Sequence, residues 1–225
     1  MMLFCEPSEG GNIGTSEREL REERLERVYG ATSEDELTEA YDEWAADYEG
    51  DMLSLGYMVP SVAAGFIGRH VPPGGKFLDA GVGTGILGDT LRVLGYTNLA
   101  GIDLSERMMD IARKKGAYEN LRKMTLGETL DFPDDSFDAA FSIGVFTEGH
   151  APPESLDELV RVVKSGGWMV FGVREDVYEN GGFREKMDSF EADGKWSLVE
   201  KSVAFTTFPA VKQSHGYRMF AYRVS

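Results

Sequence analysis

Residues 77–88 of the chain read Phe-Leu-Asp-Ala-Gly-Val-Gly-Thr-Gly-Ile-Leu-Gly. The apolar start predicts a strand, the alternating glycines Gly81, Gly83 and Gly85 predict an open turn, and the apolar residues beyond them predict a helix. A second apolar run ends at Asp103, which lies 18 residues after Gly85. Glycines let the backbone approach a ligand closely, and an acid at the end of the second strand can accept both hydroxyls of a ribose. The pattern therefore predicts a site for a nucleoside-containing cofactor.

Two kinds of cofactor are compatible with this turn. Residues 83–88 satisfy the dinucleotide pattern G-x-G-x-x-G with an acid about 20 residues further on, so an NAD-linked oxidoreductase is one alternative. Asp79 argues against it, because a carboxylate before the turn would repel a pyrophosphate and attract an ammonium group. About 75 residues also precede the strand, whereas a dinucleotide pattern usually opens its own domain. A cationic ligand without phosphates is the favoured interpretation.

Four motifs, in chain order, resemble those of the class I S-adenosylmethionine (SAM) dependent methyltransferases. They are Asp79-x-Gly81-x-Gly83-x-Gly85, Gly101-Ile102-Asp103-Leu104-Ser105, Phe132–Asp138 with the apolar run to Ser142, and Val160–Gly167. In the last motif, Ser165 stands where the family usually has proline. Residues 41–48 and 147–149 resemble more narrowly the methyltransferase-like protein of the Williams-Beuren region and its microbial relatives. The resemblance covers about residues 35–175, and it implies SAM as the cofactor.

The fold that this resemblance implies is Rossmann-like α/β, with a seven-stranded mixed sheet of order 3-2-1-4-5-7-6 whose last strand is antiparallel. The chain itself alternates strand and helix from Lys76, which predicts a parallel sheet with helices on both faces. A helix over 179–193 and two strands over 196–208 and 217–224 depart from this alternation and suit an antiparallel hairpin. The other strands are expected near 76–80, 98–102, 121–126, 137–143 and 167–173, and the helices between them over 83–94, 105–115 and 155–164.

Three helices are predicted before the sheet. A capping box at Ser16-x-x-Glu19 opens a charged helix to Tyr29, Ser33-x-x-Glu36 opens a second helix that reaches Tyr48, and a third spans 60–70. We expect these helices to cover the carboxyl edge of the sheet. The predicted domains are a disordered tail at 1–15, an N-terminal helical cap or lid at 16–70 and a SAM-binding methyltransferase core at 71–225.

Composition is typical of a single-domain enzyme. The chain has 225 residues, 42% of them hydrophobic, which suffices for a sizeable core. It has no apolar run of the roughly 20 residues that a bilayer span needs, and its first residues do not resemble a signal peptide. Cys5 is the only cysteine, which excludes an internal disulfide and a thiolate-rich metal site. We therefore expect a cytoplasmic protein with no metal and no membrane partner.

The acidic net charge of the chain limits the kinds of molecule that it is expected to bind. The net charge is −16, and residues 1–50 contribute −11 of it, with 15 acids against 4 arginines. This field would repel a phosphate backbone, so a small-molecule substrate is expected rather than a nucleic acid. The acidic excess either keeps the surface solvated or attracts a cationic substrate. The sequence does not determine the oligomeric state.

By the same resemblance, Asp79, Ala80 and the glycines Gly81, Gly83 and Gly85 would hold the methionine moiety of SAM. Asp103 would accept the ribose hydroxyls, although it could instead cap the helix that begins near Ser105. The other expected contacts are Leu104 on the adenine face, Gly127 and Glu128 at the adenine edge, and Ile143 and Gly144 along the pocket. Glu128 could equally be an exposed loop acid.

Tyr41, Trp44 and Tyr48 have helical spacing, which indicates either a buried face or a lid whose aromatic rings favour the sulfonium by cation–π attraction. The loop after strand four would meet the methyl acceptor, and His150 or Glu148 could act there as a general base. Either side chain could also be solvated without a role. The predicted function is SAM-dependent methyl transfer to an unidentified, small acceptor, with a non-catalytic SAM-binding sensor as the alternative.

Overall fold

The computed structural model describes residues 16–211 and 214–225, and the predicted tail at 1–15 lies outside this range. Eight strands form one sheet in the order β3-β2-β1-β4-β5-β8-β6, with β7 paired to β8. The strands are β1 Lys76–Ala80, β2 Asn98–Asp103, β3 Asn120–Lys123, β4 Phe137–Phe146, β5 Val163–Arg174, β6 Trp196–Lys201, β7 Phe205–Thr206 and β8 Gly216–Val224.

Nine helices belong to the described residues, four of them before the sheet. They are α1 Glu17–Tyr29, α2 Glu34–Trp44, α3 Tyr48–Leu55, α4 Val59–His70, α5 Ile86–Val93, α6 Glu106–Lys115, α7 Ser155–Val162, α8 Glu175–Asn180 and α9 Phe183–Ala192. The Ser16 capping box that opens α1 is present, with both of its reciprocal hydrogen bonds. None of the helices in residues 16–211 and 214–225 combines the length and hydropathy that a bilayer span requires.

The predicted strand order is confirmed. The five strands β1 to β5 pair in parallel, and β8 pairs antiparallel with both β5 and β6. The sheet has eight strands instead of seven because the predicted strand over 196–208 is interrupted. Ser202 uses its side-chain oxygen to accept the Met219 backbone N–H, and regular pairing resumes only at Phe205 with Tyr217.

Two predicted helices are each divided in the structure. The helix predicted to reach Tyr48 ends at Trp44, because the chain turns there and brings Asp51 of α3 back to the Trp44 indole, whose N–H donates to Asp51 at 2.8 Å. The helix predicted over 179–193 is broken by Gly181 and Gly182, and Gly182 has a left-handed backbone with φ of +84°. Glycine is the residue that adopts this conformation without strain.

The core has three apolar clusters, two on opposite faces of the sheet and one beneath the N-terminal helices. The third cluster, around Val28, Leu37 and Trp44, joins α1, α2 and α3 to Phe208 near the end of the chain. Burial of such side chains contributes about 1.5–3 kcal/mol each. This packing holds the N-terminal helices over the carboxyl edge of the sheet.

Candidate active site

A cavity of about 540 Å³ lies at the carboxyl ends of β1, β2 and β4, under the N-terminal helices. This is the edge where open α/β sheets bind ligands, and the volume suits a cofactor-sized molecule. The cavity is lined by residues 31–34, 37, 41, 48, 57, 60, 79, 81–84, 86–87, 102–104, 108, 124–128, 143–145 and 149–152. Thr125 donates to Glu34 across it at 2.9 Å and so joins α2 to the segment after β3.

Asp79 lies at the end of β1, where its side chain is only 1% exposed. Its carboxylate accepts a hydrogen bond from the Tyr118 hydroxyl at 2.6 Å. Burial raises the pKa of Asp79 to about 7, although the Tyr118 hydrogen bond opposes that rise. No lysine or arginine within residues 16–211 and 214–225 forms an ion pair with Asp79. A cationic ligand would therefore complement this carboxylate.

The turn over residues 81–85, here called the glycine turn, presents its backbone to the cavity. Gly83 has φ of +51°, and the space where a Cβ would stand is open. The Thr84 side chain is 1% exposed, and its hydroxyl has no hydrogen-bond partner among the described residues. A buried hydroxyl without a partner is costly, so a ligand that bonds Thr84 would relieve that cost.

Asp103 is fixed at the end of β2 by two backbone donors. Gly83 N–H donates to its Oδ2 at 2.8 Å and Ser105 N–H to its Oδ1 at 2.9 Å. Burial raises the pKa of Asp103, while these hydrogen bonds favour its charged form. The cap of α6 is Ser105, whose side chain accepts the Met108 N–H. The helix-cap role that the sequence left open for Asp103 thus belongs to Ser105.

A bulge in β4 brings residues 143–145 into the cavity. Ser142 pairs with Phe171 and Phe146 with Val173, so three residues of β4 face a single residue of β5. Gly144 has φ of +78°, and a Cβ there would collide with the Tyr57 hydroxyl. Glycine at this position therefore allows a tyrosine of the N-terminal helices to approach the strand.

His150 is held by bonds at both ring nitrogens. Its Nδ1 lies 2.8 Å from the Glu148 carbonyl oxygen, and its Nε2 lies 2.9 Å from the Tyr41 hydroxyl. A carbonyl only accepts, which assigns the proton to Nδ1 and leaves Nε2 to accept the Tyr41 proton. Burial lowers the pKa of His150, the hydrogen bond to the Glu148 carbonyl opposes that shift, and the nearby charge of Arg174 lowers the pKa further. The imidazole is therefore neutral at pH 7, with its basic nitrogen towards Tyr41.

Most of the residues that the sequence singled out are brought together by the fold. Those that line the cavity are Tyr41, Tyr48, Asp79, Gly81, Gly83, Asp103, Leu104, Gly127, Glu128, Ile143, Gly144 and His150. Their spacing in sequence is large, and the sheet edge gathers them because adjacent parallel strands end side by side.

Four residues proposed from the sequence do not line the cavity. Ala80 is fully buried in the apolar core. Gly85 is the N-cap residue before α5 and is packed against Ala112 and Tyr118. Both lie in the expected motif, but Ala80 faces the apolar core and Gly85 faces Ala112 and Tyr118, while their neighbours in sequence line the cavity.

The other two, Trp44 and Glu148, are engaged elsewhere. The Trp44 side chain is 3% exposed, and its indole N–H donates to Asp51. The Glu148 carboxylate pairs with the Arg174 guanidinium at 2.8 Å. Asp51 lies on the next helix along the chain, and Arg174 lies 26 positions after Glu148. Helical spacing of the aromatic residues and the loop sequence alone could not reveal these partners.

Several lining residues were not identified from the sequence. They include Tyr57 between α3 and α4, Pro60, the link over 31–33, and residues 124–126. The last group was assigned to the third strand, but β3 ends at Lys123, which frees 124–126 to line the cavity. Residues 124–126 could have been identified from their position directly after a parallel strand, where such sheets bind ligands. For Tyr57, and for Tyr118 behind Asp79, the sequence carries no such signal.

The chain is similar in sequence to known methyltransferases. Residues 78–171 match the family model of a methyltransferase domain. Methyltransferase-like protein 27 of Homo sapiens is 30% identical over 180 residues, which cover 77% of this chain and 73% of that protein. The 2-methyl-6-phytyl-1,4-hydroquinone methyltransferase of Synechocystis sp. is 31% identical, over 75% of this chain and 61% of its own.

Among solved structures, a TehB-like SAM-dependent methyltransferase from Corynebacterium glutamicum superposes with a TM-score of 0.61. The two chains are 22% identical, and the match covers 83% of this chain and 99% of that one. At this identity the likeness establishes the fold, while the sequence relatives establish the family. A buried, unpaired carboxylate, an unpartnered hydroxyl and an open glycine turn fit SAM, the cofactor of that family. The chain belongs to the class I SAM-dependent methyltransferases.

Proposed function

We propose that this protein transfers a methyl group from SAM to a small-molecule acceptor that enters the same cavity. The observation that carries the proposal is that one cavity is lined by two different groups of residues, at what we call its donor end and its acceptor end. Asp79, the glycine turn and Asp103 lie at the strand ends, whereas Tyr41 and His150 lie where α2 and the loop after β4 meet. The first group suits the donor, and the second offers an acceptor the Tyr41 hydroxyl, which is hydrogen-bonded to the basic nitrogen of His150.

The donor end has a partner for each polar part of SAM. Asp79 would pair with the ammonium group, because a buried carboxylate with a raised pKa gains most from a nearby cation. The Thr84 hydroxyl and the backbone of the glycine turn would hold the remainder of the methionine moiety. Asp103, already oriented by two backbone N–H groups, would accept the ribose hydroxyls.

The nucleobase would lie between apolar walls. Leu104 and Ile143 line the cavity, as do Gly127 and Glu128, which are exposed to solvent. We assign Glu128 to the exocyclic amine of adenine, since its carboxylate is an acceptor and the amine a donor. Tyr41 and Tyr48 would provide aromatic faces for the sulfonium.

When bound, SAM supplies a methyl group that its sulfonium has already activated. The chain therefore has to hold the donor and the acceptor in line and to exclude water, and such positioning can contribute up to about 7–11 kcal/mol. The N-terminal helices serve this purpose, because they roof the cavity from residues 31–34 to Pro60.

A small acceptor is supported by charge and by size. The net charge of −16 opposes binding of a phosphate backbone. The cavity of about 540 Å³ has room for SAM and only a modest second molecule. The Synechocystis relative is named for a hydroquinone acceptor, which is also a small molecule.

The test has two stages. First, thermal shift with SAM, S-adenosylhomocysteine (SAH), NAD and NADP should show stabilisation by SAM and SAH only; a response confined to NAD would reject the proposal. Second, SAH formation is measured over a panel of small phenols, amines, thiols and carboxylic acids. Turnover of any member supports an enzyme, whereas SAM binding with no turnover across the panel favours the sensor.

A further inference from the structure

The end of the cavity opposite Asp79 contains a pair of groups that can move a proton. The Tyr41 hydroxyl donates to His150 Nε2 at 2.9 Å, and His150 is its only hydrogen-bond partner among the described residues. The oxygen of Tyr41 therefore keeps a lone pair free to accept a hydrogen bond from a guest molecule. Because both side chains line the cavity, such a guest can reach this oxygen.

The surroundings keep His150 in its neutral, proton-accepting form. Arg174, at the end of β5, is 2% exposed and pairs with Asp176 at 2.6 Å and with Glu148 at 2.8 Å. Its guanidinium lies 4.8 Å from the centre of the Tyr29 ring, and that ring packs edge-on against His150. Burial is the main reason that the imidazolium is disfavoured and the pKa of His150 is lowered, and the positive charge of Arg174 adds to this effect.

The other groups around Tyr41 and His150 do not make the charged imidazolium the favoured form. The ring of Tyr41 packs edge-on against His150 and against Tyr48, and both tyrosines are neutral because burial raises their pKa values. The Glu148 carboxylate is directed to Arg174, and Thr147 contacts Nδ1 through its hydroxyl. No carboxylate of the described residues is bonded to the imidazole itself.

The charges that line the cavity select against anions. Four carboxylates belong to the lining, those of Glu34, Asp79, Asp103 and Glu128. Across the described part of the chain, no lysine or arginine belongs to it. An acceptor bearing a carboxylate or phosphate would find like charges and no lysine or arginine of the lining to pair with, whereas a neutral molecule would not pay that cost.

We propose that Tyr41 and His150 form a proton relay for an uncharged acceptor whose nucleophile is a hydroxyl or amine X–H, and that the cavity rejects anionic acceptors. The inference rests on the proposed methyl transfer. As the X–CH₃ bond forms and the C–S bond breaks, the X–H proton passes to the Tyr41 oxygen. The original Tyr41 proton passes to His150 Nε2, and the resulting imidazolium releases it to solvent after the product leaves.

The first experiment needs no substrate. The full chain is labelled with ¹³C at histidine Cε1 and titrated by NMR in the presence of SAH, with His150→Gln identifying the His150 signal among the three histidines. His150 should titrate below the ordinary pKa of about 6.5, and Tyr41→Phe should raise its pKa, because the lost hydrogen bond favoured the neutral ring. A His150 pKa at or above 6.5, or one that Tyr41→Phe leaves unchanged, would overturn the relay.

The second experiment tests the acceptor class with three probes of one shape: 4-ethylphenol, 4-ethylaniline and 4-ethylbenzoate. With the SAH complex, the phenol and the aniline should shift the His150 signal, and the benzoate should bind at least about tenfold more weakly. Benzoate binding as tight as that of the phenol contradicts the selection against anions.

The third experiment is kinetic and separates the relay from methyl transfer itself. For any panel member that is turned over, His150→Gln should retain SAH binding and lower kcat by about 10²-fold or more. His150→Gln turnover at the wild-type rate rejects the relay while methyl transfer stands. A wild-type protein that binds neither SAM nor SAH rejects the proposed function.

Discussion

The two ends of the cavity are built in different ways. At the donor end, Asp79, Gly83 and Asp103 fall within 25 residues and lie together because β1 and β2 are adjacent parallel strands, with Ala80 beside Ile102. At the acceptor end, Tyr41 and His150 are separated by 109 positions and meet only because α2 packs on α1 and α6, over the carboxyl edge of the sheet. One end follows from strand topology, and the other depends on packing of the N-terminal helices.

This difference implies that the two ends respond differently to mutation. The donor end is held by the main-chain pairing of β1 and β2, so substitution of Asp103 should remove the proposed ligand contact and two local hydrogen bonds while the sheet stays intact. The acceptor end is held by buried aromatic side chains and by Gly144 against Tyr57, so substitutions there disturb packing first. The predictions below test this contrast, from the largest expected effect to the smallest.

Asp103→Ala should weaken SAM binding by about 10- to 100-fold, which corresponds to the loss of hydrogen bonds to a charged acceptor. Isothermal titration calorimetry measures the affinity, and circular dichroism checks that the fold is intact. Asp131→Ala, whose side chain is 94% exposed, is the matched control and should leave affinity unchanged. Unaltered affinity in Asp103→Ala would remove this residue from the donor end.

Gly83→Ala and Gly144→Ala form a pair that separates the two ends. Both glycines have left-handed backbones, which cost roughly 1–2 kcal/mol for alanine. At Gly83 the new methyl group meets open cavity space and should lower SAM affinity. At Gly144 it also meets the Tyr57 hydroxyl, so the total loss of stability there should be larger, about 1–3 kcal/mol. Urea unfolding and calorimetry measure the two effects. Equal loss of stability in both variants would contradict the contrast.

SAM affinity should rise by about tenfold between pH 6 and pH 8, because only ionised Asp79 pairs with the ammonium group and its pKa is about 7. The contribution of Asp79 to the stability of the free protein changes with pH in the opposite direction. A pKa raised from 3.8 to about 7 means that the folded state binds the proton more tightly, so this contribution is full below pH 3.8 and is lost as the pH rises through 7.

Asp79→Asn is the control for this pH dependence, since it keeps the shape and removes the titration. Its SAM affinity should be weak and nearly flat over the same range, apart from any titration of the ligand itself. Isothermal titration calorimetry at five pH values measures SAM affinity in the wild type and in the variant. A slope as steep in the variant as in the wild type would assign the dependence to another group.

Trp44→Phe should cost about 1 kcal/mol of stability through the lost hydrogen bond to Asp51, while SAM affinity stays within about twofold. Asp51 retains its ion pairs with Arg21 and Arg24, which limits the loss. Thermal unfolding and calorimetry provide both values. A large loss of SAM affinity with unchanged stability would place the indole at the cofactor after all.

Much of the donor end could be predicted because its determinants are local. The alternation of strand and helix indicates a parallel sheet, and the glycine turn followed by Asp103 marks the edge where ligands bind. Thr84 lies inside that same motif, although its unpartnered hydroxyl becomes apparent only in the structure. Residues 124–126 were missed by a boundary error of three positions at the end of β3.

The sequence by itself determined the α/β class and the position of the glycine turn, because hydrophobic period and glycine placement act over a few residues. The strand order followed from the resemblance of four motifs to the methyltransferase family. Only the tertiary structure decided the ending of α2 at Trp44, the engagement of Glu148 by Arg174, and the meeting of Tyr41 with His150. The Glu148–Arg174 and Tyr41–His150 contacts join residues 26 and 109 positions apart, and the Trp44–Asp51 contact forms only because the chain turns between α2 and α3. Their partners are selected by how helices pack on the finished sheet, which no local pattern encodes.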